Sequence, residues 1–309
     1  MLIKLLTSFL SLSSLKDDFN NYLNKFNKNY TENEYWRRLD IYTDNINYIN
    51  KHNQENHSYL LGLTPFTDIS NEEFQTDYVL KNNDNPCTLV NTGHFLFPRK
   101  HDWRNESAVT SVKNQLQCGG CWAFSTVEAI EGIRAIKYNS LVSLSEQQLI
   151  DCSIENKGCN GGSMDLGFNY VIENGGLCSN HSYQYEAQDG NCDNSCEVIK
   201  HTDIQECYDI LPKKERLFLS YLSQQPLSVA IQANGMTFQH YKEGIYDDIN
   251  CYSGQLDHGV LAVAYDEETI TLKNSWGVEW GNMGYIDLKR VGNGAGICGV
   301  LMLASYPSY

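Results

Sequence analysis

Two cysteines stand three residues apart in Gln115-Leu116-Gln117-Cys118-Gly119-Gly120-Cys121-Trp122-Ala123-Phe124-Ser125, and the second of them opens an apolar run. From Trp122 to Lys137 the residues Phe124, Val127, Ile130, Ile133 and Ile136 recur with helical spacing, Ala and Glu between them, which predicts a mostly buried helix. A helix N-terminus presents unpaired N–H groups and about half a positive charge, so a thiol there loses its proton more readily than a free cysteine. Cys121 is therefore a candidate nucleophile. The Cys118-x-x-Cys121 spacing also fits a structural disulfide, a redox pair or half of a zinc site. A second C-x-x-C and a βαβ context are both missing, so the redox and zinc readings fit poorly. Nucleophile and structural disulfide remain open on spacing alone.

Two distant segments bear on that choice. Leu256-Asp257-His258-Gly259-Val260-Leu261-Ala262-Val263 puts a histidine at the mouth of a run with strand character. Lys273-Asn274-Ser275-Trp276-Gly277-Val278-Glu279-Trp280-Gly281 is dense in Gly and Trp. His258 follows Cys121 by 137 residues and Asn274 follows it by 153. Thiol proteases with a Cys-His-Asn site carry the latter two about 130–150 residues downstream, so Asn274 falls just outside that interval. Taken singly, each residue has an ordinary reading: a satisfied polar histidine, a turn asparagine, a surface glutamine. Their order along one chain is what carries the signal.

With these motifs the chain resembles a papain-family cysteine protease of the cathepsin L-like branch in full precursor form, from about Phe19 to Tyr309. One departure is Gly120, where the family signature has Ser or Ala. The resemblance implies that Cys121 attacks the scissile carbonyl and that His258 holds it as a thiolate–imidazolium pair and protonates the leaving amine. It implies that Asn274 orients the imidazole, with Trp276 shielding their hydrogen bond. The Gln115 side-chain amide and the Cys121 backbone N–H would form the oxyanion hole. No cofactor and no metal are implied.

Upstream, the chain changes character. Met1-Leu2-Ile3-Lys4 followed by Leu5-Leu6-Thr7-Ser8-Phe9-Leu10-Ser11-Leu12-Ser13 reads as a signal peptide over 1–14, too short to span a membrane. Residues 15–96, rich in Asn, Tyr and charge, carry two helix-like stretches around 17–27 and 32–54. Glu34, Arg38, Tyr42, Asn45, Ile49 and Asn53 match the family's pro-helix spacing, with Tyr42 in place of Phe. Gly62, Phe66 and Asp68 match the following motif, with Thr64 in place of Asn. By resemblance this is an inhibitory pro-region that packs on the enzyme and then runs through its cleft in the reverse direction to substrate. The mature enzyme would span 97–309, beginning near Phe97. Sequons at Asn29, Asn56, Asn105 and Asn180 permit glycosylation.

The expected fold class is α+β. A helical domain carries the Cys121 helix and a second helix whose Ser145 and Gln148 fit a capping box. An antiparallel barrel-like domain includes Leu227–Ile231 and the His258 and Asn274 segments, and the site lies in the cleft between. By resemblance Cys118 pairs with Cys159, Cys152 with Cys192, and Cys251 with Cys298. Cys87, Cys178, Cys196 and Cys207 then remain. Three of these lie in the mature region, an odd number, so Cys87 is a candidate to tether a pro-region remnant to the enzyme. Such a remnant would suit an aminopeptidase-type member of the family.

Gly161 and Gly162 are expected to let a substrate backbone approach, since they carry no side chain. Ser163, Met164, Ala230, Gly259 and Leu303 would line an apolar second subsite beside Asp257 and Trp276, favouring hydrophobic residues at P2 and disfavouring Arg. The chain is acidic, with a formal charge of −15, which excludes nucleic acid as a partner by charge. Its eleven cysteines favour an oxidising route, hence a secretory-pathway protein, lysosomal or extracellular. Expected partners are protein and peptide substrates, its own pro-region and cystatin-type inhibitors, with the chain a monomer. A non-catalytic binding module would normally have lost Cys121, His258 or Gln115. A C-x-x-C thiol-disulfide oxidoreductase would need Cys118 free.

Overall fold

The computed structural model describes residues 2–74, 86–93 and 96–309, with side chains from Ser14 onward. In chain order the segment before residue 97 contributes α1 (Leu2–Lys25), α2 (Glu32–Asn53), β1 (Tyr59–Leu61), α3 (Asn71–Phe74) and β2 (Thr88–Val90). β3 (His101–Asp102) precedes the helical half, made of α4 (Cys121–Tyr138), α5 (Glu146–Cys152) and α6 (Met164–Asn174). The strand-rich half follows with β4 (Glu206–Ile210), α7 (Glu215–Leu222), β5 (Leu227–Ile231), α8 (Met236–Gln239) and β6 (Tyr241–Tyr246). It ends with β7 (His258–Tyr265), β8 (Thr269–Lys273), β9 (Tyr285–Lys289) and β10 (Leu303–Ser308).

The sheet runs β1-β6-β9-β8-β7-β5-β10-β4-β2, with β3 paired to β7. Its central pairs are antiparallel, while β6–β9 and β2–β4 are parallel. Both outermost strands come from the segment before residue 97. All of β5, β7 and β8 is buried, and β7 from Gly259 to Tyr265 is accordingly a nearly continuous apolar run, whereas β8 alternates Thr269, Thr271 and Lys273 with Ile270 and Leu272.

Three hydrophobic clusters fill the molecule. Trp122, Val127, Ile130, Leu149 and Phe168 centre the helical half, and Phe238, Tyr241, Leu272, Trp276 and Trp280 belong to the strand-rich half. Phe19, Tyr22, Leu23, Leu39 and Tyr42 join α1 to α2 in the pro-region. The aromatic at position 42 thus does the packing asked of the family's phenylalanine.

The pro-helix motif is explained by what its members touch. Glu34 pairs with Arg38 at 2.6 Å, and Arg38 reaches Glu73 at 2.8 Å. Asn45 Nδ2 donates to the carbonyls of Thr67 and Ile69. The Asn53 side chain exchanges both of its hydrogen bonds with the backbone of Leu61. Asp68 is fully buried and accepts from Tyr22, Lys28 and Tyr30. Thr64, the departure from the family pattern, is also fully buried and donates to the Gln239 carbonyl.

One expectation needs correction, and two others reach beyond the described residues. Ser145 Oγ does accept from Gln148 N at 3.0 Å, but Gln148 Oε1 accepts from Cys178 N, so the reciprocal half of the capping box is not made. The first pro-helix begins at Leu2, so the segment read as signal peptide continues into α1 without a break in its backbone; its side chains before Ser14 lie outside the described residues. The stretch expected to run through the cleft falls on residues 75–85, also outside the described residues.

Five disulfides close the cysteine count. The expected Cys118–Cys159, Cys152–Cys192 and Cys251–Cys298 are joined by Cys178–Cys196 and Cys87–Cys207. Cys121 alone is left as a thiol.

Candidate active site

The loop before α4 is tied down from several sides. The Cys118–Cys159 disulfide and the Gly119 N–H donating to the Cys159 carbonyl at 2.8 Å fix it to the helical half. The Gln115 N–H donates to the Ser275 carbonyl at 2.8 Å and Tyr185 Oη donates to the Gln115 carbonyl, which fixes its other end. Gly120 is the N-cap of α4. A Cβ there would lie 3.0 Å from Ile150 Cδ1 and 3.3 Å from Cys118 Sγ, so the departure from Ser or Ala suits this packing.

Cys121 is therefore presented as the first residue of α4, buried to 2% exposure. Burial pushes its thiol up to about 11 and outweighs the lowering effect of the Gly259 and Trp122 backbone N–H groups, while the Asp257 charge raises it further. His258, the first residue of β7, is held down to about 4 by burial, against the opposing hydrogen bond from Asn274. Burial thus works against the charged form of both groups, opposing the lowering effect of the backbone N–H groups on the thiol.

His258 Nε2 lies 2.7 Å from Asn274 Oδ1. That oxygen also accepts from the Ser275 N–H at 2.8 Å, so the ring must donate through Nε2, and Nδ1 carries the lone pair. Trp276 stacks on the imidazole at 4.6 Å between centroids and is only 6% exposed, the shielding position expected of it. Gln115 Nε2 donates to the Cys118 carbonyl at 2.9 Å and its Oε1 accepts from Ser275 Oγ at 2.7 Å. One amide N–H is thereby used to set the side chain, and the second is not needed for that bond.

Of the residues expected to line a second subsite, three come together by strand register. Gly259 opposes Ala230 across β7–β5, and Ala230 opposes Leu303 across β5–β10. A Cβ on Gly259 would lie 3.2 Å from both the Cys121 carbonyl oxygen and Met164 Sδ, so glycine lets β7 pass close to the start of α4 and to Met164. Ser163 is the N-cap of α6, beside Met164. Asp257 Oδ1 accepts from the Ala233 N–H at 2.7 Å, and burial raises its carboxyl to about 6 despite that bond. For Gly162 the physical reason differs from the expected one. A Cβ there would meet Asn156 Oδ1 at 2.4 Å and Trp122 Cδ2 at 2.8 Å, so packing against these two side chains is enough to demand glycine. Gly161 has φ of 99°, a backbone that side chains disfavour.

Several contributors were not apparent in the sequence. Lys273, adjacent to Asn274 and fully buried, pairs with Glu128 of α4 at 2.7 Å. Lys113 joins Glu131 of α4 and Glu146 of α5. The first pair joins the two halves, and the second ties α4 to α5 within the helical half; removing one partner of a buried pair typically costs about 3–5 kcal/mol. Ser275 sets Gln115. Phe66 and Phe74 of the pro-region pack edge-on against Trp276, at 5.2 and 5.4 Å. A lysine at the end of the short β8, directly before Asn274, was the one available sequence signal for the first of these.

A helix-borne thiol in one half, with a histidine–asparagine pair on strands of the other, defines a two-domain thiol hydrolase carrying its own folded N-terminal extension. Residues 97–308 match the papain family cysteine protease domain, and residues 19–74 match the cathepsin propeptide inhibitor domain (I29). The chain belongs to the papain family of cysteine proteases, with an inhibitor-type propeptide. It is 43% identical over 297 residues to the probable cysteine protease RD21B of Arabidopsis thaliana, covering 92% of this chain but 63% of that protein. It is 41% identical over 305 residues to cysteine protease XCP2 of the same plant, covering 94% and 85%. A digestive procathepsin L 3 from the larval midgut of Tenebrio molitor superposes with a TM-score of 0.88 at 34% identity, over 96% of this chain and 99% of that one.

Proposed function

We propose that this chain is the zymogen of a cysteine endopeptidase, with residues 1–14 as signal peptide, 15–96 as pro-region and 97–309 as the catalytic domain. The observation that carries this reading is that ten of eleven cysteines are in disulfides and the remaining one opens a buried helix beside a histidine bonded to an asparagine.

In the reaction, Cys121 Sγ gives its proton to His258 Nδ1 and attacks the peptide carbonyl carbon. The oxyanion is held by the Cys121 N–H and the Gln115 side-chain amide. Loss of one such donor typically costs about 2.7–4 kcal/mol in the transition state. His258 then protonates the departing amine, and the thioester is hydrolysed by a water that gives its proton back to the ring. Asn274 Oδ1 keeps Nδ1 toward the thiol throughout, and Trp276 keeps water from the bond that does so. Burial disfavours the charged form of both groups, so the ion pair forms more readily when the pro-region leaves and the cleft is wetted.

Met164, Ala230, Gly259 and Leu303 offer an apolar wall, with Ser163 at its rim. A substrate backbone is expected along Gly161 and Gly162, with Asp257 and Trp276 flanking. Hydrophobic P2 residues are therefore preferred. Fluorogenic peptides with Leu or Phe at P2 should be cleaved at least tenfold more efficiently than those with Arg; the reverse order would overturn the pocket assignment. The enzyme would work as a monomer on protein and peptide substrates in the secretory pathway, lysosomal or extracellular, where cystatin-type inhibitors would bind the same cleft. Replacement of Cys121 by Ser should abolish hydrolysis while leaving the precursor folded, as measured by peptide turnover and circular dichroism.

A further inference from the structure

We propose that maturation leaves a two-chain enzyme, in which the segment around Cys87 and β2 stays on the catalytic domain as the last strand of its sheet. The proposal rests on the reading that the chain is cut near Phe97. A cut there hydrolyses one peptide bond but does not detach the segment, because Cys87 is disulfide-bonded to Cys207 within β4. No oxidant is needed at that step, since the bond already exists in the precursor.

The segment is also docked along its length. Thr88, Leu89 and Val90 pair in register with Tyr208, Asp209 and Ile210. The Leu211 N–H donates to the Val90 carbonyl at 2.9 Å, and Tyr221 Oη donates to the Thr92 carbonyl at 2.7 Å. At Gly93 a Cβ would lie 2.4 Å from Ser220 Oγ and 2.7 Å from Leu217 Cδ1, so the backbone runs flush on α7. Beyond these anchors the chain is accessible: Pro86 is exposed on one side and Leu96 is 96% exposed on the other.

The position of the strand says what it does. From β2 to β7, which begins at His258, the order passes through β4, β10 and β5. At about 4.8 Å per strand the segment sits some 19 Å from the catalytic strand. It therefore does not plug the cleft as an aminopeptidase's remnant would. It covers a sheet edge and roofs a buried acidic pair. Ser305 Oγ lies 2.6 Å from Asp165 Oδ1 and 2.8 Å from Asp209 Oδ1, both carboxylates buried. A hydroxyl has one proton, so it can donate to only one carboxyl and must accept from the other, which therefore carries a proton.

Burial, and then the neighbouring Asp209, push the Asp165 carboxyl up to about 7, in keeping with that geometry. Cys87 Sγ falls within 4.8 Å of ligand atoms on both aspartates, and its commitment to the disulfide makes it a lid rather than a metal ligand. Asp165 adjoins Met164 on α6, and Ser305 follows Leu303 on β10. The roof thus keeps dry a pair that joins two elements of the substrate pocket.

The test is mass spectrometry without reductant on the processed protein, with N-terminal sequencing. Wild-type precursor is processed by its own activity in acid, and Cys121→Ser precursor by added thermolysin, so that failure of the peptidase reading still leaves the tether measurable. After washing in mild urea, two N-termini are expected, one near Phe97 and one at or before Cys87, with a peptide containing Cys87 released by reduction. The double variant Cys87→Ser/Cys207→Ser should lose that peptide on processing, and its mature form should melt about 5 °C or more below wild type. A mature chain lacking any Cys87 peptide, with Cys207 as a thiol, overturns the proposal. So does a single chain beginning before Cys87 from which reduction releases no peptide.

Discussion

The pro-region grips the two ends of one sheet by different chemistry. At the β1 end Tyr59–Leu61 pairs with β6, and everything that holds it is non-covalent: the Asn53–Leu61 bonds, the Asp68 cluster, the Arg37 and Arg38 pairs to Glu73, and Phe66 and Phe74 on Trp276. At the β2 end a strand of equal length is fixed by a disulfide. The first grip bears on the tryptophan that covers His258, whereas the second is separated from β7 by three intervening strands. An inhibitor that must leave is held by groups that can titrate or dissociate, and a strand that is to stay is held by a bond that peptidases do not cut.

The largest effect separating the two ends from the chemistry itself is Cys121→Ser, which should lower kcat by about 10⁴-fold or more while leaving both grips intact. The precursor should then persist uncut in acid, as judged by gel electrophoresis. Next in size, Asp68→Ala strips a fully buried acceptor from Tyr22, Lys28 and Tyr30, and should weaken the β1 end by about 3 kcal/mol. The readout is faster self-processing at neutral pH, with the Cys87 peptide still attached.

Acid should loosen the β1 end through histidine. His240 is buried with both ring nitrogens unpartnered, its backbone carbonyl accepts from Gly62, and burial lowers its pKa to about 4. A histidine whose folded pKa lies below its unfolded value of about 6.5 leaves stability intact above that value. It destabilises the fold progressively as pH falls from there to about 4. His52, stacked on His57 at 3.9 Å, is shifted in the same direction, by burial and then by His57. Glu73 does not contribute in this window. Burial opposes its ionisation, but the Ser70 backbone N–H and the Arg37 and Arg38 bonds bring it down to about 2, so its pairing persists until pH falls well below the usual carboxylate range. Self-processing should thus accelerate between about pH 6.5 and 4, and His240→Phe should move that onset about one pH unit lower. The smallest effect expected is Asn53→Ala, about 1 kcal/mol, measured as a lower Tm of the precursor with no change in the mature enzyme.

Much of this was legible in local pattern. The α4 run differs from its expected bounds by one residue at each end, and β5 coincides with Leu227–Ile231, because both are fixed by local apolar pattern, helically spaced in α4 and nearly continuous in β5. The pro-helix residues were recognisable by spacing, although their partners Thr67, Leu61 and Glu73 were not. What escaped were pairings whose energy comes from residues far apart in sequence. β1 and β2 are three residues long and have no strand pattern of their own; each is defined by the edge it joins. The Cys87–Cys207 partner needed a contact across 120 residues, and cysteine parity supplied only the suspicion. The Asp165–Ser305–Asp209 cluster has no local signature, since each residue alone reads as an ordinary polar position. The effect of burial on Cys121 and His258 could not be read either, because desolvation depends on everything packed around them.

The most direct test of the account is labelling of the precursor with a thiol-directed epoxide from neutral pH to about pH 4, followed by peptide mapping without reduction. The account predicts no label on the intact precursor at neutral pH and label on Cys121 once acid has freed the β1 end, with the Cys87 peptide still bound to Cys207. Rapid labelling of intact precursor at neutral pH, or peptidase activity surviving in Cys121→Ser, would contradict it.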